Sequence, residues 1–283
     1  MIEIAGKTGQ ALIDEVNATE VPQGRCAFWW LGQHGFIVKL GKFVVYIDPY
    51  LSPSEARNVR PLLEPSQVTN ASAVIGTHDH GDHIDRPIWP ALAQASPEAF
   101  FLVSEPAKAS VIRDLGLNPE RVFGMGENLF SFIGGESDVP KLKISSIPAA
   151  HELLAVDPVT GFHECVGVVL EGNGFTLYHA GDTCIYEGIQ DRLRHWKLDL
   201  ALIPINGRDG RRLRSGCIGN MTFQEAVDLA GAVQPGLTIP THWDMFDGNT
   251  ENPELFMEYI GVKYPHLGAQ IPQHGVRVVV SCA

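Results

Sequence analysis

His78-Asp79-His80-Gly81-Asp82-His83 puts three imidazoles and two carboxylates into six consecutive residues. It follows the apolar run Ala73-Val74-Ile75-Gly76, which reads as a short buried strand. Imidazole and carboxylate donors suit zinc, manganese or iron. No thiolate stands among them, which excludes a structural finger. His78 and His80 are two residues apart, so in an extended loop they point the same way and can share one cation. Asp82 and His83 are adjacent, so their side chains are expected to diverge and reach a second cation ~3.5–4 Å from the first. Ile84–Leu92 then reads as a helix with Asp85 at its N-cap. The donors would lie between the end of a strand and the start of a helix, open to water, as hydrolytic metal chemistry requires.

His78, His80, Asp82 and His83 resemble the signature of the metallo-β-lactamase superfamily. The resemblance implies three further ligands at the ends of apolar runs, in this chain order. They are His151 after the strand-like 141–147, Asp182 after 175–178, and His242 after 237–239. It also implies that Asp182 bridges two cations, that Asp82 and His242 are catalytic, and that Asp48 supports the cluster from behind. The expected cofactor is one or two divalent ions, zinc or manganese, with iron as the alternative.

Finer strings narrow the resemblance. Trp30-Leu31-Gly32-Gln33-His34-Gly35-Phe36, Tyr46-Ile47-Asp48-Pro49-Tyr50, Pro204-Ile205-Asn206-Gly207-Arg208, Gly219-Asn220-Met221-Thr222 and Pro240-Thr241-His242-Trp243-Asp244-Met245-Phe246 are similar to the branch that contains L-ascorbate-6-phosphate lactonase. Some members of that branch lack a histidine near position 151. Its presence here favours two cations and argues against literal transfer of the lactonase activity.

Composition bounds the rest. Of 283 residues, 45% are hydrophobic, enough for a large core, and the net charge is −12. An acidic chain is poorly suited to grip nucleic acid or an anionic membrane through its overall field. Met1–Gly6 has no basic start or long apolar run, and no stretch reaches the ~20 apolar residues of a membrane span. Five scattered cysteines without a CxxC pair fit a reducing compartment, so a cytoplasmic location is expected. Cys184, close to Asp182, either approaches the site or is a small buried residue at the start of a helix, the reading favoured here.

Residues 8–17 read as a helix, and 26–31, 36–40 and 43–47 as strands punctuated by Gly35 and Gly41. An irregular connection covers 53–67. A strand at 100–103 leads into a helix at 105–115 capped by Ser104. Segments 122–123, 129–133 and 142–147 read as a continuing antiparallel run. Gly172-Asn173-Gly174 marks a hairpin between 166–170 and 175–178. Residues 185–195 read as a helix and 200–203 as a buried strand. Thr222-Phe223-Gln224-Glu225 is a capping box opening a helix to Val233. A helix at 253–262 and a strand at 276–280 complete the chain. This order fits an α+β fold, an αββα sandwich of two mixed sheets flanked by helices, forming one domain over 1–283.

Four arginines, Arg208, Arg211, Arg212 and Arg214, crowd one short loop. They read either as a clamp for an anion, which guanidinium meets in bidentate fashion, or as a solvated or subunit-contacting loop. Arg208, beside Asn206, is the member expected to reach substrate. Asn220 either orients substrate or serves its turn. His163 lines the pocket, acts as a proton shuttle, or is a surface residue. His179 is expected beside the site as a non-ligand. His34 either overhangs the pocket or is an inert turn residue.

The expected activity is hydrolysis of a small, anionic ester, lactone of the sugar-phosphate type, or phosphoester. The alternatives are a phosphodiesterase or nuclease on the same fold, a non-heme iron oxygenase, and a non-catalytic metal- or metabolite-binding regulator. The expected partner is a small molecule rather than nucleic acid, with self-association left open.

Overall fold

Alternating burial along the strands sets the layers. The computed structural model describes residues 1–134 and 141–283. In β1 (Arg25–Gly32), Ala27, Trp29 and Leu31 face one core, while Cys26, Phe28 and Trp30 face another. Successive side chains on a strand point to opposite faces, so a strand buried on both sides serves two cores. Before it comes α1 (Gly9–Ala18). After it come β2 (Gly35–Leu40), β3 (Phe43–Ile47), β4 (Ala73–Gly76), α2 (Trp89–Ala95), β5 (Phe100–Ser104), α3 (Glu105–Leu115) and β6 (Val122–Met125). The chain continues through β7 (Phe130–Ile133), β8 (Leu142–Pro148), β9 (Val166–Gly172), β10 (Phe175–His179), α4 (Ile189–Leu193) and β11 (Leu200–Pro204). It ends with α5 (Gly210–Arg214), α6 (Phe223–Val233), β12 (Leu237–Thr241), α7 (Pro253–Lys263), β13 (Gly268–Ala269) and β14 (Arg277–Ser281).

Among the described residues the strands form two sheets of seven, ordered β14-β1-β2-β3-β4-β5-β6 and β13-β12-β11-β10-β9-β8-β7. The first runs antiparallel from β14 to β3 and parallel from β3 to β6. The second repeats the scheme, antiparallel from β7 to β10 and parallel from β10 to β13. Phe28 from one sheet and Val168 from the other both belong to the core between the sheets; burying a side chain of this kind contributes roughly 1.5–3 kcal/mol. α1, α2 and α3 cover the outer face of the first sheet, and α4, α6 and α7 that of the second. The expected αββα sandwich is the observed fold. No helix among the described residues is long and apolar enough to cross a membrane.

Local signals hold where their contacts are local. Asn173 and Gly174 take φ of +55° and +68°, the left-handed pair that a two-residue hairpin turn needs. The Thr222–Glu225 capping box forms: Thr222 N–H donates to Glu225 Oε2 at 2.9 Å, and Glu225 N–H to Thr222 Oγ1 at 3.3 Å.

Four expectations are corrected. α2 begins at Trp89, not Ile84, because Asp85 turns back to accept from Leu51 N, Ser52 N and Ser52 Oγ and is not available to cap. Ser104 stands at the N-cap of α3 without a capping hydrogen bond. β6 lies parallel beside β5, since a strand–helix–strand unit returns in the same direction; the antiparallel run starts at β7. Gly188, at φ +90°, delays α4 to Ile189, so Cys184 lies in an extended loop with its N–H on Ala150 O.

Candidate metal centre

The parallel strands of both sheets end at one edge of the sandwich, where ligands of open α/β sheets gather. Asp48 follows β3, His78 follows β4, His151 follows β8, Asp182 follows β10 and His242 follows β12. All the expected donors therefore come from loops anchored on buried strands.

They assemble into overlapping groups. Donor atoms of His78, His80 and His151 lie within 4.8 Å of one another, as do those of Asp82, His83 and His242, and those of His78, His83 and Asp182. Asp82 Oδ2 is 3.6 Å from His83 Nε2 and 3.7 Å from His242 Nε2. The two adjacent side chains converge instead of diverging. Asp182 stands between the groups, with Oδ1 3.4 Å from His83 Nε2, and Oδ2 3.1 Å from His242 Nε2 and 3.7 Å from His151 Nε2. A tetrahedral ion with bonds of ~2.0–2.2 Å holds its donors roughly 3.3–3.6 Å apart, close to these spacings.

Asp48 and Thr77 set the imidazole tautomers. Asp48 is fully buried and accepts from Thr77 N at 2.8 Å, Thr77 Oγ1 at 2.8 Å and His83 Nδ1 at 2.6 Å. Because the Thr77 hydroxyl donates to Asp48, its oxygen accepts from His78 Nδ1 at 3.2 Å. In the neutral form both rings thus carry their proton on Nδ1 and present a lone pair on Nε2. His83 Nε2 and Asp182 Oδ1 are buried with no hydrogen-bond partner among the described residues. Orphaned buried acceptors facing one another fit a cation better than any other occupant.

The electrostatics differ between the groups. Burial holds the His78 and His151 rings below the ordinary imidazole value. Burial is the largest single effect on His83 and His242 and opposes their charge, yet the neighbouring carboxylates together, Asp182 foremost, outweigh it and raise both. Burial works against ionised Asp82 and Asp182, but their histidine neighbours hold both carboxyls below the usual range.

The other expected residues divide. Asn206 is buried, donating to Asn249 Oδ1 at 2.7 Å and accepting from Asn220 Nδ2 at 3.1 Å; Asn220 Oδ1 is a buried acceptor without a partner among the described residues. Arg208 turns away to a bidentate pair with Glu225 at 2.6 and 2.7 Å and to Asn220 O at 3.1 Å. Arg212 pairs with Asp209 and Thr250 O, while Arg211 and Arg214 lie exposed on α5. His163 is half-buried and pairs through its backbone with Val156, outside the donor groups. His179 donates from Nε2 to His34 O at 2.8 Å and accepts Gly181 N–H on Nδ1, so it is a buried non-ligand. His34 is also buried, bonded to Thr241 Oγ1, with its ring centroid 6.0 Å from that of His242 and 6.2 Å from that of His83.

Sequence reasoning assigned no role to Gln33, Thr77 or the buried pair Asp244–His274, joined at 2.8 Å. Thr77 was legible as the residue that opens the His-rich loop. His274 carries no local signal, because its partner lies 30 residues away. Beside His78 and His80 opens a cleft of 290 Å³ lined also by Asp79, Ser104, Ser110, Glu164 and Cys165. That is near the lower end of pockets for small molecules, roughly 300 Å³.

Comparison with known proteins gives the family. Residues 44–243 match the beta-lactamase superfamily domain. A UPF0173 metal-dependent hydrolase of Cupriavidus taiwanensis is 30% identical over 271 residues, covering 90% of this chain and 87% of its relative. Another, from Nitratidesulfovibrio vulgaris, is 28% identical over 238 residues, covering 83% and 87%. The solved structure of Igni18, a metallo hydrolase from Ignicoccus hospitalis, superposes with a TM-score of 0.69 at 19% identity, covering 90% of this chain and 98% of that one. The chain belongs to the metallo-β-lactamase superfamily and, within it, to the UPF0173 metal-dependent hydrolase family.

Proposed function

We propose that this protein is a hydrolase that holds two divalent cations and acts on a small ester, lactone or phosphoester. The observation that carries the reading is the pair of three-donor groups at the strand ends, with Asp182 between them. His78, His80 and His151 would hold one cation, Asp82, His83 and His242 the other, and Asp182 would serve both. Such ions lower the pKa of water from ~15.7 towards ~7 and polarise a substrate oxygen.

The chain's own groups do the rest. Asp82 is half-buried, with its side chain 21% exposed, so it can meet both a cation and an incoming water. It orients that water towards the substrate's acyl or phosphoryl centre and accepts its proton. As the bond to the leaving oxygen breaks, the proton passes there and Asp82 is regenerated. His242, 3.1 Å from Asp182, keeps the second group assembled through this cycle. Asp48 holds the His83 ring in the ligating tautomer.

The modest cleft supports a small-molecule substrate, and the net charge of −12 speaks against a polynucleotide. A sugar-phosphate lactone, as in the branch noted from sequence, is the specific version of this reading. Since Arg208 and Arg212 are already matched by carboxylates, an anionic group would be met by the exposed Arg211 and Arg214. Asn206 and Asn220 would then face the substrate through the buried Asn220 acceptor, with His163 at the loop margin.

Metal analysis of the purified protein, followed by a hydrolysis screen over lactones, phosphodiesters and thioesters, tests the proposal. Two equivalents of bound metal and metal-dependent turnover of a small ester or lactone are expected. A single equivalent at saturation, or no hydrolysis of any class with both cations bound, would overturn it.

A further inference from the structure

Gln33 belongs to none of the three-donor groups, yet its side chain reaches into one of them. Nε2 lies 2.8 Å from Asp82 Oδ2 and 3.1 Å from His242 Nε2. The residue is 1% exposed, and its Oε1 is buried without a hydrogen-bond partner among the described residues. The backbone adopts φ of +54°, a left-handed conformation that a long side chain rarely takes. Such strain persists only where the surroundings impose it, and it gathers at functional sites.

The surroundings that impose it are on view. Gln33 N–H donates to Asp244 Oδ1 at 2.9 Å. Gln33 O accepts from His242 N–H at 2.9 Å and from Trp30 Nε1 at 3.1 Å. Asp244 is itself held by His274 Nε2 at 2.8 Å, and the His274 ring stacks on Trp30 with centroids 4.1 Å apart. A buried assembly of Trp30, Asp244 and His274 therefore aims one glutamine amide at Asp82 and His242.

We propose that Gln33 is a further, neutral oxygen donor to the cation held by Asp82, His83 and His242. The inference rests on the reading that this group binds a cation. An amide N–H directed at a cation is repelled, whereas a carbonyl oxygen is attracted. A half-turn about the Cγ–Cδ bond exchanges the two atoms at nearly the same positions. It brings the orphaned Oε1 to the place where Nε2 now contacts Asp82 Oδ2 and His242 Nε2. Carbonyl oxygens suit harder ions with more than four ligands, so Gln33 biases this position towards manganese over zinc.

The test is a calorimetric titration of the full-length, metal-stripped protein with Mn²⁺, with the exchange-coupled paramagnetic resonance signal of a manganese pair as a second readout. The central variant is Gln33→Asn. Asparagine tolerates left-handed backbone and keeps all three backbone contacts, but its amide is one methylene too short to reach. Gln33→Leu and Gln33→Glu complete the series, with circular dichroism as the folding control. Wild type should take up two equivalents. In Gln33→Asn and Gln33→Leu one equivalent, that of the Asp82–His83–His242 position, should lose affinity by about tenfold, the lower end of losses when a supporting group of a metal site is removed. The other equivalent should not change, and Gln33→Glu should match or exceed wild type. Two equivalents with unchanged affinities in Gln33→Asn would overturn the role of Gln33 alone. A tighter equivalent at the Asp82–His83–His242 position in Gln33→Asn would overturn it too, by showing that the amide competes with the ion. A single equivalent in wild type would overturn both this inference and the two-cation reading.

Discussion

Asp48→Asn should disable His83 without removing a ligand. In the native arrangement one carboxylate oxygen accepts from Thr77 N–H at 2.8 Å, a backbone donor that cannot turn away. The other accepts from Thr77 Oγ1 at 2.8 Å and from His83 Nδ1 at 2.6 Å. Asparagine must keep its oxygen on the backbone N–H, so its NH₂ faces the hydroxyl and the ring. The hydroxyl can rotate to accept, but the ring can comply only by moving its proton from Nδ1 to Nε2. That atom faces Asp82 and Asp182 at 3.6 and 3.4 Å, so the relocated proton points into the cation position. The expected loss is about 10–100-fold in affinity at that position, or roughly 1.4–2.8 kcal/mol. Removing the buried charge-assisted bond should also lower stability by about 1.5–3 kcal/mol. Metal titration gives the affinity, nitrogen NMR of the imidazoles gives the tautomer, and thermal unfolding gives the stability. If Asp48→Asn binds both equivalents with native affinity while His83 keeps its Nδ1 proton, the tautomer argument is wrong.

Four further outcomes are expected. His80→Ala should lose metal at the His78–His151 position and abolish hydrolysis with little change in circular dichroism, because His80 is exposed on a loop above the core; full occupancy with normal turnover would refute its assignment. Asp182→Asn should drive the stoichiometry from two equivalents towards one, since its oxygens face both groups, and an unaltered titration would remove it as the shared ligand. Arg208→Ala should change the Michaelis constant equally for charged and neutral substrates and cost only ~0.2–1 kcal/mol, because its partly exposed pair with Glu225 is screened by solvent; a selective loss for anionic substrates would restore it as a clamp. Lowering the pH should release metal from the Asp82–His83–His242 position before the other. His83 and His242 are raised and must shed protons to bind, whereas His78 and His151 are lowered and already neutral. Titrations at successive pH values in wild type and His80→Ala check the order, and the reverse order would refute it.

The donor residues were legible because each stands where an apolar run stops. Polar side chains at the ends of 73–76, 175–178 and 237–239 are placed at a common edge by any fold that runs these strands parallel. The spacing His78-x-His80 and the turn Gly172-Asn173-Gly174 act over a few bonds, so backbone geometry alone decides them. The Thr222–Glu225 capping box is local in the same way. What the side chains do once delivered depended on partners far along the chain. Asp85 reads as a helix cap until Leu51 and Ser52 arrive from β3's side to take its carboxylate. Arg208 reads as an anion clamp until α6 brings Glu225 against it. Gln33 lies 49 residues from Asp82 and 209 from His242, and His274 lies 30 from Asp244. Hydrogen bonds and charges are satisfied by whatever stands within about 3 Å, and only the packing of one sheet on the other sets those neighbours. Sequence thus determined which groups could bind a cation, while tertiary structure decided which tautomers they hold, which carboxylate lies between the two groups, and which arginines are already spent on carboxylates.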